Sequence, residues 1–572
     1  MKLAEALSLA NQSATGKGKA FRALLACGFT PQHAKTFLIA HLVKRAPDRR
    51  VLVEPGLYGD LMGTLERFDS RQADAVAVIV EWADLDPRLG YRSSDPWRLS
   101  YLKDVLETVS MRLDMLQAAV QRVAAHVPVS LALPGLALPP LFPTPLGWGD
   151  PIALALQERV YRFATSAATV PSVRLVNPQR LDQLSPPALR HDPKNELRWD
   201  FPYTLPHTSA LCELLAHLIL PASPKKAIIT DLDDTLWRGV VGEDGLDGIS
   251  WDLDHFSHGH AVYQRMLASL ADLGVLVGVA SKNDPKVVKQ ALARHDLIVP
   301  ADVLFPVESH WGPKSESVGR ILQAWNIGAD SVVFIDDSPL EVAEVTTAFP
   351  DILGKIFPVS DDAAVFELLE TLRDLFGKAS VTEEDRLRLS NLRDSYHRRS
   401  EPAYEATDDV LAQLQAEITL SYDKPDQRTF DLINKTNQFN LNGRRIDESS
   451  WRVRLADPRY FLLTVSYKDK FGPLGKIAVV SGTRDRLDAC IDIWVMSCRA
   501  FSRRIEHQIL QALFEHLGAD ALRLDLAPTE RNGPLRQFVQ SILGHEAEVP
   551  LRIGRSDFVS RCPPLYAKVN VE

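Results

Sequence analysis

Continuous apolar runs mark the middle third of the chain. The runs AIITD, VLVGVAS and SVVFIDD begin at residues 227, 275 and 331 and alternate with helical patterns. Parallel strands that are covered on both faces have this continuous apolar character, whereas half-exposed strands alternate apolar and polar positions. The pattern therefore predicts an α/β layer built on a parallel sheet.

The flanking segments differ from each other. Before residue 221, the runs VLVEP, AVAVIVEW and VRLVN mix with a long amphipathic pattern at residues 97–127, which predicts a second α/β unit. After residue 378, FLLTVSYKD, KIAVVSGTR and DACIDIWVMSC follow one another closely. Such spacing is typical of antiparallel strands, so we predict an α+β unit there.

Proline clusters indicate the joints. Interior prolines prevent residues 131–151 from forming one helix, and PASPKK comes directly before the first run of the middle segment. We predict three domains at residues 1–220, 221–378 and 379–572, each of a plausible size for a folding unit.

Polar residues stand at the ends of the middle runs and at the start of one helix: Asp231, Asp233, Ser281, Lys282, Lys314, Asp336 and Asp337. Ligands of open parallel sheets bind beyond the carboxyl ends of the strands, so we expect these side chains in one crevice. Two aspartates after a strand can also simply cap the next helix. Four motifs in order favour a catalytic site over that interpretation.

The residue types suit phosphoryl transfer, which depends on alignment and charge neutralisation. Asp231 can attack phosphorus to give an aspartyl phosphate, and Asp233 can act as general acid and base. We predict that Thr235, Ser281, Lys282 and Lys314 bind the phosphoryl oxygens. Hard oxygen ligands for Mg²⁺ are available on Asp231, Asp233, Asp336 and Asp337.

Composition and charge limit the partners and the cellular compartment that we expect for the protein. The net charge of -9 and the pI of about 6.0 argue against nucleic acid or an anionic membrane as a broad partner. The five cysteines show no paired spacing, and no window is apolar enough to span a membrane. The N-terminus is too polar for a signal peptide, so we expect a cytoplasmic protein.

The four motifs together resemble the haloacid-dehalogenase (HAD) superfamily. Asp231 and Ser281 are 50 residues apart, and Ser281 and Lys314 are 33 apart. A mobile cap domain would need more chain than these spacings leave. We therefore predict a capless, Rossmann-like HAD core with an open site, unless the short segment GEDGLDGISWDLDH covers it.

The longer motifs DLDDTLWRGVVGEDGLDGI, ASKNDP, HWGPKSESVGRIL and FIDDSPLEVAEV resemble the FkbH-like branch of that superfamily. TNQFNLNGRR, KDKFGPLG and VMSCR are similar to its C-terminal region, which has a GNAT-type acetyltransferase-like fold. The first segment resembles the SGNH-hydrolase-like domain of longer members. It has no GDS-type nucleophile motif and no tight Asp-x-x-His spacing, which favours a structural or carrier-docking role.

The resemblance implies an acyltransferase with phosphatase character. Such an enzyme would take a glyceryl unit from 1,3-bisphosphoglycerate, or a related acyl phosphate, and load it onto the phosphopantetheine thiol of an acyl carrier protein. The loaded unit would feed polyketide-type biosynthesis.

Cys498 is the candidate for a second catalytic group. Uninterrupted strand alternation would place Cys490, Asp492, Trp494 and Met496 on one face with Cys498, and the intervening residues on the core face. Cations such as Arg499 lower a thiol pKa and favour the thiolate. Strand position alone favours a buried, inert cysteine, and the resemblance favours a functional one.

Four further residues are candidates for contact with the acyl group or the carrier: Asn437, Gln438, Asn440 and Arg499. Asparagines in such runs also commonly cap turns. His507 is a candidate base, although its place on a basic helix favours a solvated histidine.

Two other functions stay open at this point. One is a Mg²⁺-dependent HAD phosphatase that acts on a small or carrier-bound phosphate ester, with the last domain only assisting recognition. The other is a non-catalytic scaffold that binds a carrier protein. The intact set of motif residues argues against the scaffold.

Overall fold

The computed structural model describes the chain except for residues 16–17, 95–97, 141–143, 379–380, 382–384, 386–388, 390–391, 393–407, 437–438, 471, 486–487, 498–499, 501–502, 530–531 and 545–550. It divides into two compact units. The first comprises Met1–Ala222 with Asp447–Arg452, and the second comprises Ser223–Ile446 with Val453–Glu572.

The first unit contains a five-stranded parallel sheet of order β2-β1-β3-β4-β5. Its strands are β1 (Ala20–Cys27), β2 (Arg50–Pro55), β3 (Ala75–Ile79), β4 (Val129–Ala132) and β5 (Val173–Leu175). Every residue of β3 is buried. Its odd-numbered residues join one core cluster and its even-numbered residues Val76 and Val78 join another, so both faces are covered.

Helices α1–α9 surround this sheet. They are α1 (Leu3–Thr15), α2 (Gln32–Arg45), α3 (Leu61–Glu66), α4 (Trp82–Leu85), α5 (Leu102–Ala124), α6 (Pro151–Ala168), α7 (Pro178–Leu184), α8 (Pro193–Trp199) and α9 (Leu205–Ile219). Helix α6 begins at the proline that ends the proline-rich stretch, and the Asp150 side chain caps it. The predicted second α/β unit is confirmed.

The second unit begins with another five-stranded parallel sheet, of order β10-β9-β6-β7-β8. The strands are β6 (Ala227–Thr230), β7 (Leu276–Ser281), β8 (Leu304–Ser309), β9 (Val332–Asp336) and β10 (Leu353–Ile356). The helices are α10 (Val241–Asp244), α11 (His258–Asp272), α12 (Pro285–Leu292), α13 (Lys314–Trp325), α14 (Pro339–Ala348) and α15 (Asp362–Phe376). The links between β6, β7 and β8 are residues 231–275 and 282–303. They contain only α10–α12, one short 3-10 helix and connecting turns, so the capless core is confirmed.

The last sheet is mixed and mostly antiparallel, with the order β17-β16-β15-β14-β13-β11-β18 and β12 pairing with β15. Its strands are β11 (Glu417–Tyr422), β12 (Phe439–Asn440), β13 (Tyr460–Asp469), β14 (Gly472–Asp485), β15 (Asp488–Met496), β16 (Ala521–Leu524), β17 (Leu551–Gly554) and β18 (Lys568–Val571). The helices are α16 (Asp408–Gln413), α17 (Gln427–Lys435), α18 (Glu448–Leu455), α19 (Ile505–Leu517), α20 (Gly533–Leu543) and α21 (Arg555–Arg561). The three predicted neighbouring strands, β13–β15, pair antiparallel as expected.

The domain boundaries at residues 220 and 378 stay predictions. Among the helices that the structure describes, none is long and apolar enough to cross a membrane.

Candidate active site

The middle sheet places two aspartates at its topological switch point. Strands β6 and β9 are neighbours, although the chain visits β7 and β8 between them. Asp231 directly follows β6 and Asp336 ends β9. The backbone N–H of Asp231 donates to the carbonyl of Ile335 at 2.9 Å, which fixes the two strand ends side by side. A crevice at such a switch point is the usual ligand position in this class of sheet.

Three carboxylates and one ammonium meet in this crevice. Carboxylate oxygens of Asp231, Asp336 and Asp337 lie within 4.8 Å of one another. Nζ of Lys314 lies 2.6 Å from Oδ2 of Asp336 and 3.0 Å from Oδ1 of Asp231. One buried ammonium balances only part of the negative charge of three carboxylates. The cluster therefore fits a divalent cation with oxygen ligands.

The first turn of α13 holds Lys314 in place. The backbone N–H groups of Lys314 and Ser315 donate to the Glu344 carboxylate at 3.2 and 3.1 Å. These N–H groups have no partner inside a helix, so an acid on α14 supplies one. Glu344 was not among the predicted site residues. It lies in the FIDDSPLEVAEV motif, but its contact with α13 depends on how the two helices pack.

Burial and neighbouring charges both act on the pKa values of Asp231 and Lys314, and the net shift of each pKa is upward. Burial raises the pKa of Asp231 to about 7, and the charge of Asp336 adds to this rise while Lys314 opposes it. For Lys314, burial alone would lower the pKa, but the charges of Asp231 and Asp336 outweigh it and raise the pKa. Lys314 therefore keeps its ammonium form beside Asp231, the predicted nucleophile.

Asp233 is held separately from the three carboxylates. Its Oδ1 accepts the indole N–H of Trp237 at 2.9 Å and the backbone N–H of Val241 at 3.1 Å. Oδ2 accepts the side-chain amide of Asn283 at 2.8 Å. These bonds fix the orientation of the carboxylate two residues beyond Asp231, as a general acid and base requires. Asp233 was also predicted to be a metal ligand, but its carboxylate is not one of the three in the cluster.

A turn directs the chain back toward the sheet after Asp233. Asp234 has φ of 49°, a left-handed conformation that aspartate tolerates, and its Oδ1 accepts the N–H of Gly239 at 2.8 Å. Gly239 itself has φ of 97°, where a side chain would be strained. The turn brings Trp237 and Val241 back onto the Asp233 carboxylate.

Asn283 is the principal site residue that the sequence analysis missed. It is buried, and its amide donates both to Asp233 and to Oγ of Ser281, the latter at 3.1 Å. It thus joins the predicted phosphate-binding serine to the predicted general acid. The available signal was its place two residues after Ser281 in the same ASKNDP motif.

The other predicted phosphate-binding residues occupy different environments. Lys282 forms a 2.7 Å ion pair with Glu341, so its ammonium is engaged away from the carboxylate cluster. Thr235 is fully buried, and its Oγ1 has no hydrogen-bond partner within the described residues. A buried hydroxyl without a partner is a candidate donor for a bound ligand.

Among the candidates in the last segment, Asn437, Gln438, Cys498 and Arg499 lie outside the described residues. Asn440 is buried and organises its own turn. Its amide donates to the carbonyl of Thr436 at 3.0 Å, and its Oδ1 accepts the N–H of Gly443 at 2.8 Å. These bonds give Asn440 a local structural role of the kind common for asparagine.

The uninterrupted alternation predicted for β15 is wrong. The pairing of β14 with β15 shifts register between Ser481 and Gly482, which pair with Ile493 and Ile491. Asp492 therefore has no paired residue on β14. Such an extra residue reverses which side chains face each way. As a result Trp494 and Met496 join the same core cluster as Ile491, instead of sharing a face with Cys490.

The environment of His507 also differs from the solvated histidine that the sequence favoured. Its side chain is only 13% exposed and packs edge-on against Phe538, with ring centroids 5.0 Å apart. Burial, with a contribution from Arg504, lowers its pKa to about 4. The imidazole is therefore neutral at pH 7, as a base must be before it takes a proton.

No family model and no curated protein matches the sequence. Among solved structures, the chain is similar to the N-terminal part of the protein BF1531 from Bacteroides fragilis, which contains a phosphatase domain complexed with Mg. The TM-score is 0.54 at 20% identity, over 66% of this chain and 100% of that chain.

Two further solved structures give weaker matches. They are an extracellular lipase from Streptomyces rimosus and phospholipase A1 from Streptomyces albidoflavus. Each covers 35% of this chain, and 100% and 99% of its own, at identities of 11% and 9%. Their TM-scores of 0.26 and 0.25 are too low to bear on the fold of the first unit. The match to the Bacteroides fragilis structure shows that the two proteins share a fold over 66% of this chain.

Proposed function

We propose that the chain is a Mg²⁺-dependent phosphoryl-transfer enzyme with Asp231 as the nucleophile. The cluster of Asp231, Asp336 and Asp337 carries this proposal, together with the Lys314 ammonium that contacts the first two. Asp231, Asp336 and Asp337 would hold Mg²⁺, which supplies charge neutralisation for the phosphoryl oxygens. The solved phosphatase-domain structure is described as complexed with Mg, which supports this choice of ion.

The chemistry runs in two steps. A carboxylate oxygen of Asp231 forms a bond to phosphorus as the bond from phosphorus to the leaving oxygen breaks. Asp233, oriented by Asn283 and Trp237, gives a proton to the leaving oxygen. Asp233 then takes a proton from water as that water attacks phosphorus, which releases phosphate and restores the Asp231 carboxylate. Lys314 stabilises the charge on the phosphoryl group during both steps.

The finer proposal concerns the substrate and rests on the resemblance to the FkbH-like branch. The donor is 1,3-bisphosphoglycerate or a related acyl phosphate. The Cys498 thiolate attacks the acyl carbon, the bond from carbon to the phosphate oxygen breaks, and inorganic phosphate leaves. The phosphopantetheine thiol of an acyl carrier protein then displaces Cys498 and carries away the glyceryl unit as a thioester. Asp231 removes the remaining phosphate from the glyceryl unit.

Two buried polar atoms near Phe538, one on β15 and one on α19, support a ligand in that region. Nε1 of Trp494 and Nδ1 of His507 have no hydrogen-bond partner among the described residues. Both rings pack edge-on against Phe538, with ring centroids 5.7 and 5.0 Å away. Buried polar atoms without partners are rare, and a bound polar group would satisfy them.

Intact-protein mass spectrometry tests the substrate proposal. The full chain is mixed with Mg²⁺ and freshly generated 1,3-bisphosphoglycerate, with and without a holo acyl carrier protein. Cys498→Ala and Asp231→Asn are run in parallel, and Cys490→Ala is the matched cysteine control. We expect an acyl mass on the wild-type protein and on Cys490→Ala that passes to the carrier, and none on Cys498→Ala.

Asp231→Asn should carry an acyl adduct that keeps its phosphate. Release of phosphate with no mass gained by either protein would overturn the acyl-transfer proposal and leave a phosphatase. Absence of both phosphate release and acyl transfer in the wild type would favour the non-catalytic scaffold.

A further inference from the structure

The first unit contains a cavity of about 230 Å³ at the carboxyl end of its parallel sheet. The sheet order β2-β1-β3 places the topological switch point between β1 and β3. Gly28 and Phe29 follow β1 and line the cavity, as do Glu81 and Trp82 after β3. Open α/β sheets bind their ligands at this position, so the cavity is where a small molecule would sit.

The charged lining is mostly acidic. Five carboxylates contribute to the wall: Asp60, Glu81, Asp84, Glu196 and Asp200. The cationic or titratable nitrogens in the same wall belong to Arg112 and His191. Aromatic rings of Phe29, Trp82 and Tyr91 also line the cavity. Carboxylates beside aromatic faces are the usual surroundings of a bound organic cation.

Three of the carboxylates already have partners: Glu196 is paired with His191, and Glu81 and Asp200 each have several donors. Glu81 is buried and accepts the hydroxyl of Tyr203 at 2.6 Å and the backbone N–H of Gly135 at 3.1 Å. Asp200 is paired with Arg92 at 2.6 Å and accepts the Tyr58 hydroxyl at 2.8 Å. These three groups support the wall and do not need a ligand.

Asp84 is different. Its Oδ2 accepts the backbone N–H of Glu81 at 2.8 Å, and no donor among the described residues reaches its Oδ1. That oxygen lies against Gly28, where an added Cβ would be 1.7 Å from it. The glycine at the end of β1 is therefore what gives the Asp84 carboxylate its place in the wall. Burial raises the pKa of Asp84 to about 7, and the charge of Asp200 adds to this rise. The ionised carboxylate is therefore less stable than in water, and a positive charge in the cavity would stabilise it.

The residues at the end of β1 do not provide a nucleophile. The thiol of Cys27 donates to the carbonyl of Phe29 at 3.4 Å, and burial raises its pKa to about 12. The hydroxyl of Thr30 donates to the carbonyl of Trp199 at 2.7 Å. The cavity is consequently better suited to binding a molecule than to hydrolysing one.

We propose that this cavity binds a small organic cation, an amine or quaternary ammonium compound, with the Asp84 carboxylate as its counter-charge. The indole of Trp82 donates its N–H to the carbonyl of Leu136 at 2.9 Å, which holds the ring in the wall. Tyr91 stacks on His191 with ring centroids 5.2 Å apart and forms another aromatic surface. A fixed carboxylate and fixed rings need little reorganisation when the cation enters.

Calorimetric titration of the full chain tests the proposal with defined probes. Choline is compared with its neutral isostere 3,3-dimethyl-1-butanol, and n-butylammonium with n-butanol and with butyrate. We expect at least one cation to bind about tenfold or more tightly than its neutral counterpart. Choline and 3,3-dimethyl-1-butanol are the stricter pair, because they differ only in the charged nitrogen. Asp84→Asn should remove this preference, and Tyr91→Leu should weaken cation binding about threefold.

Asp114→Asn is the matched control, because Asp114 is exposed on α5 and does not line the cavity. It should bind the cations as the wild type does. Circular dichroism establishes that each variant is folded. The proposal is overturned if neither cation binds more tightly than its isostere, if butyrate binds best, or if folded Asp84→Asn keeps the preference for cations.

Discussion

Nζ of Lys314 lies 3.0 Å from Oδ1 of Asp231, and both side chains are buried. The same ammonium reaches Oδ2 of Asp336 at 2.6 Å. Lys314→Met would leave two buried carboxylates without their cation. Breaking a buried pair in this way costs about 3–5 kcal/mol of stability, and loss of a charge-stabilising group lowers kcat by about 100-fold or more.

Phosphatase assays and urea unfolding of Lys314→Met measure both effects. Lys286→Met is the control, because Lys286 is exposed on α12. Unchanged kcat in Lys314→Met would show that Lys314 does not act on the phosphoryl group.

Asn283→Ala removes the donor that orients Asp233 and contacts Ser281. We expect kcat to fall about 10- to 100-fold for an alkyl phosphate, whose leaving oxygen needs a proton. The fall should be smaller for p-nitrophenyl phosphate, because p-nitrophenolate leaves readily without protonation. Comparison of the two substrates separates positioning of Asp233 from general damage. An equal loss on both would contradict the positioning role, and Gln290→Ala on α12 is the control.

Mg²⁺ should stabilise the protein through the carboxylate cluster. At a concentration about 100 times its Kd, a ligand that binds only the folded state adds about 2.7 kcal/mol to the free energy of unfolding. We expect Mg²⁺ to raise the Tm of the wild type and EDTA to reverse the change. Asp337→Asn should show a much smaller rise, whereas the exposed control Asp272→Asn should behave as the wild type. A full rise in Asp337→Asn would remove that residue from the metal site.

The stability of the first unit should depend on pH through Asp84. Its pKa is raised from an ordinary value of 3.8 to about 7 by burial, with Asp200 adding to the rise and Arg112 opposing it. The folded protein therefore binds the proton more tightly than the unfolded chain. Protonation contributes its full stability below about pH 4, and this contribution is lost as the pH rises through 7.

The Asp84→Asn side chain does not titrate, so this variant does not lose stability in that way as the pH rises. After allowance for solvent screening in an open cavity, we expect the variant to be more stable than the wild type by about 1–2 kcal/mol near pH 8. The difference should shrink toward pH 4. Unfolding curves at the two pH values measure it, with Asp114→Asn as control. A difference of equal size at both pH values would exclude titration of Asp84 as the cause.

The convergence of Asp231 and Asp336 could be predicted from sequence, because continuous apolar runs identify parallel strands whose carboxyl ends share one edge. The contacts of Asn283 and Glu344 could not, because they depend on loop and helix positions that no periodicity records. Strand β1 was absent from the predicted strands. Its sequence AFRALLAC is rich in helix-favouring residues, and pairing with β2 and β3 on both sides overrides that propensity.

The prediction of which β15 side chains face the core was wrong for a related reason. The prediction assumed unbroken alternation, whereas the register shift at Asp492 is set by pairing with β14. A single extra residue was enough to move Trp494 and Met496 into the core.

The most direct test of the account is chemical identification of the phosphorylated residue. The protein is mixed with Mg²⁺ and a phosphate ester, quenched in acid within one turnover, digested and analysed by mass spectrometry. Asp233→Asn is included, because it should slow release of phosphate from the enzyme. We predict a phosphoryl group on Asp231 that accumulates in Asp233→Asn and is absent in Asp231→Asn. Turnover without any phosphorylated Asp231 peptide, or with the phosphoryl group on another residue, would contradict the account.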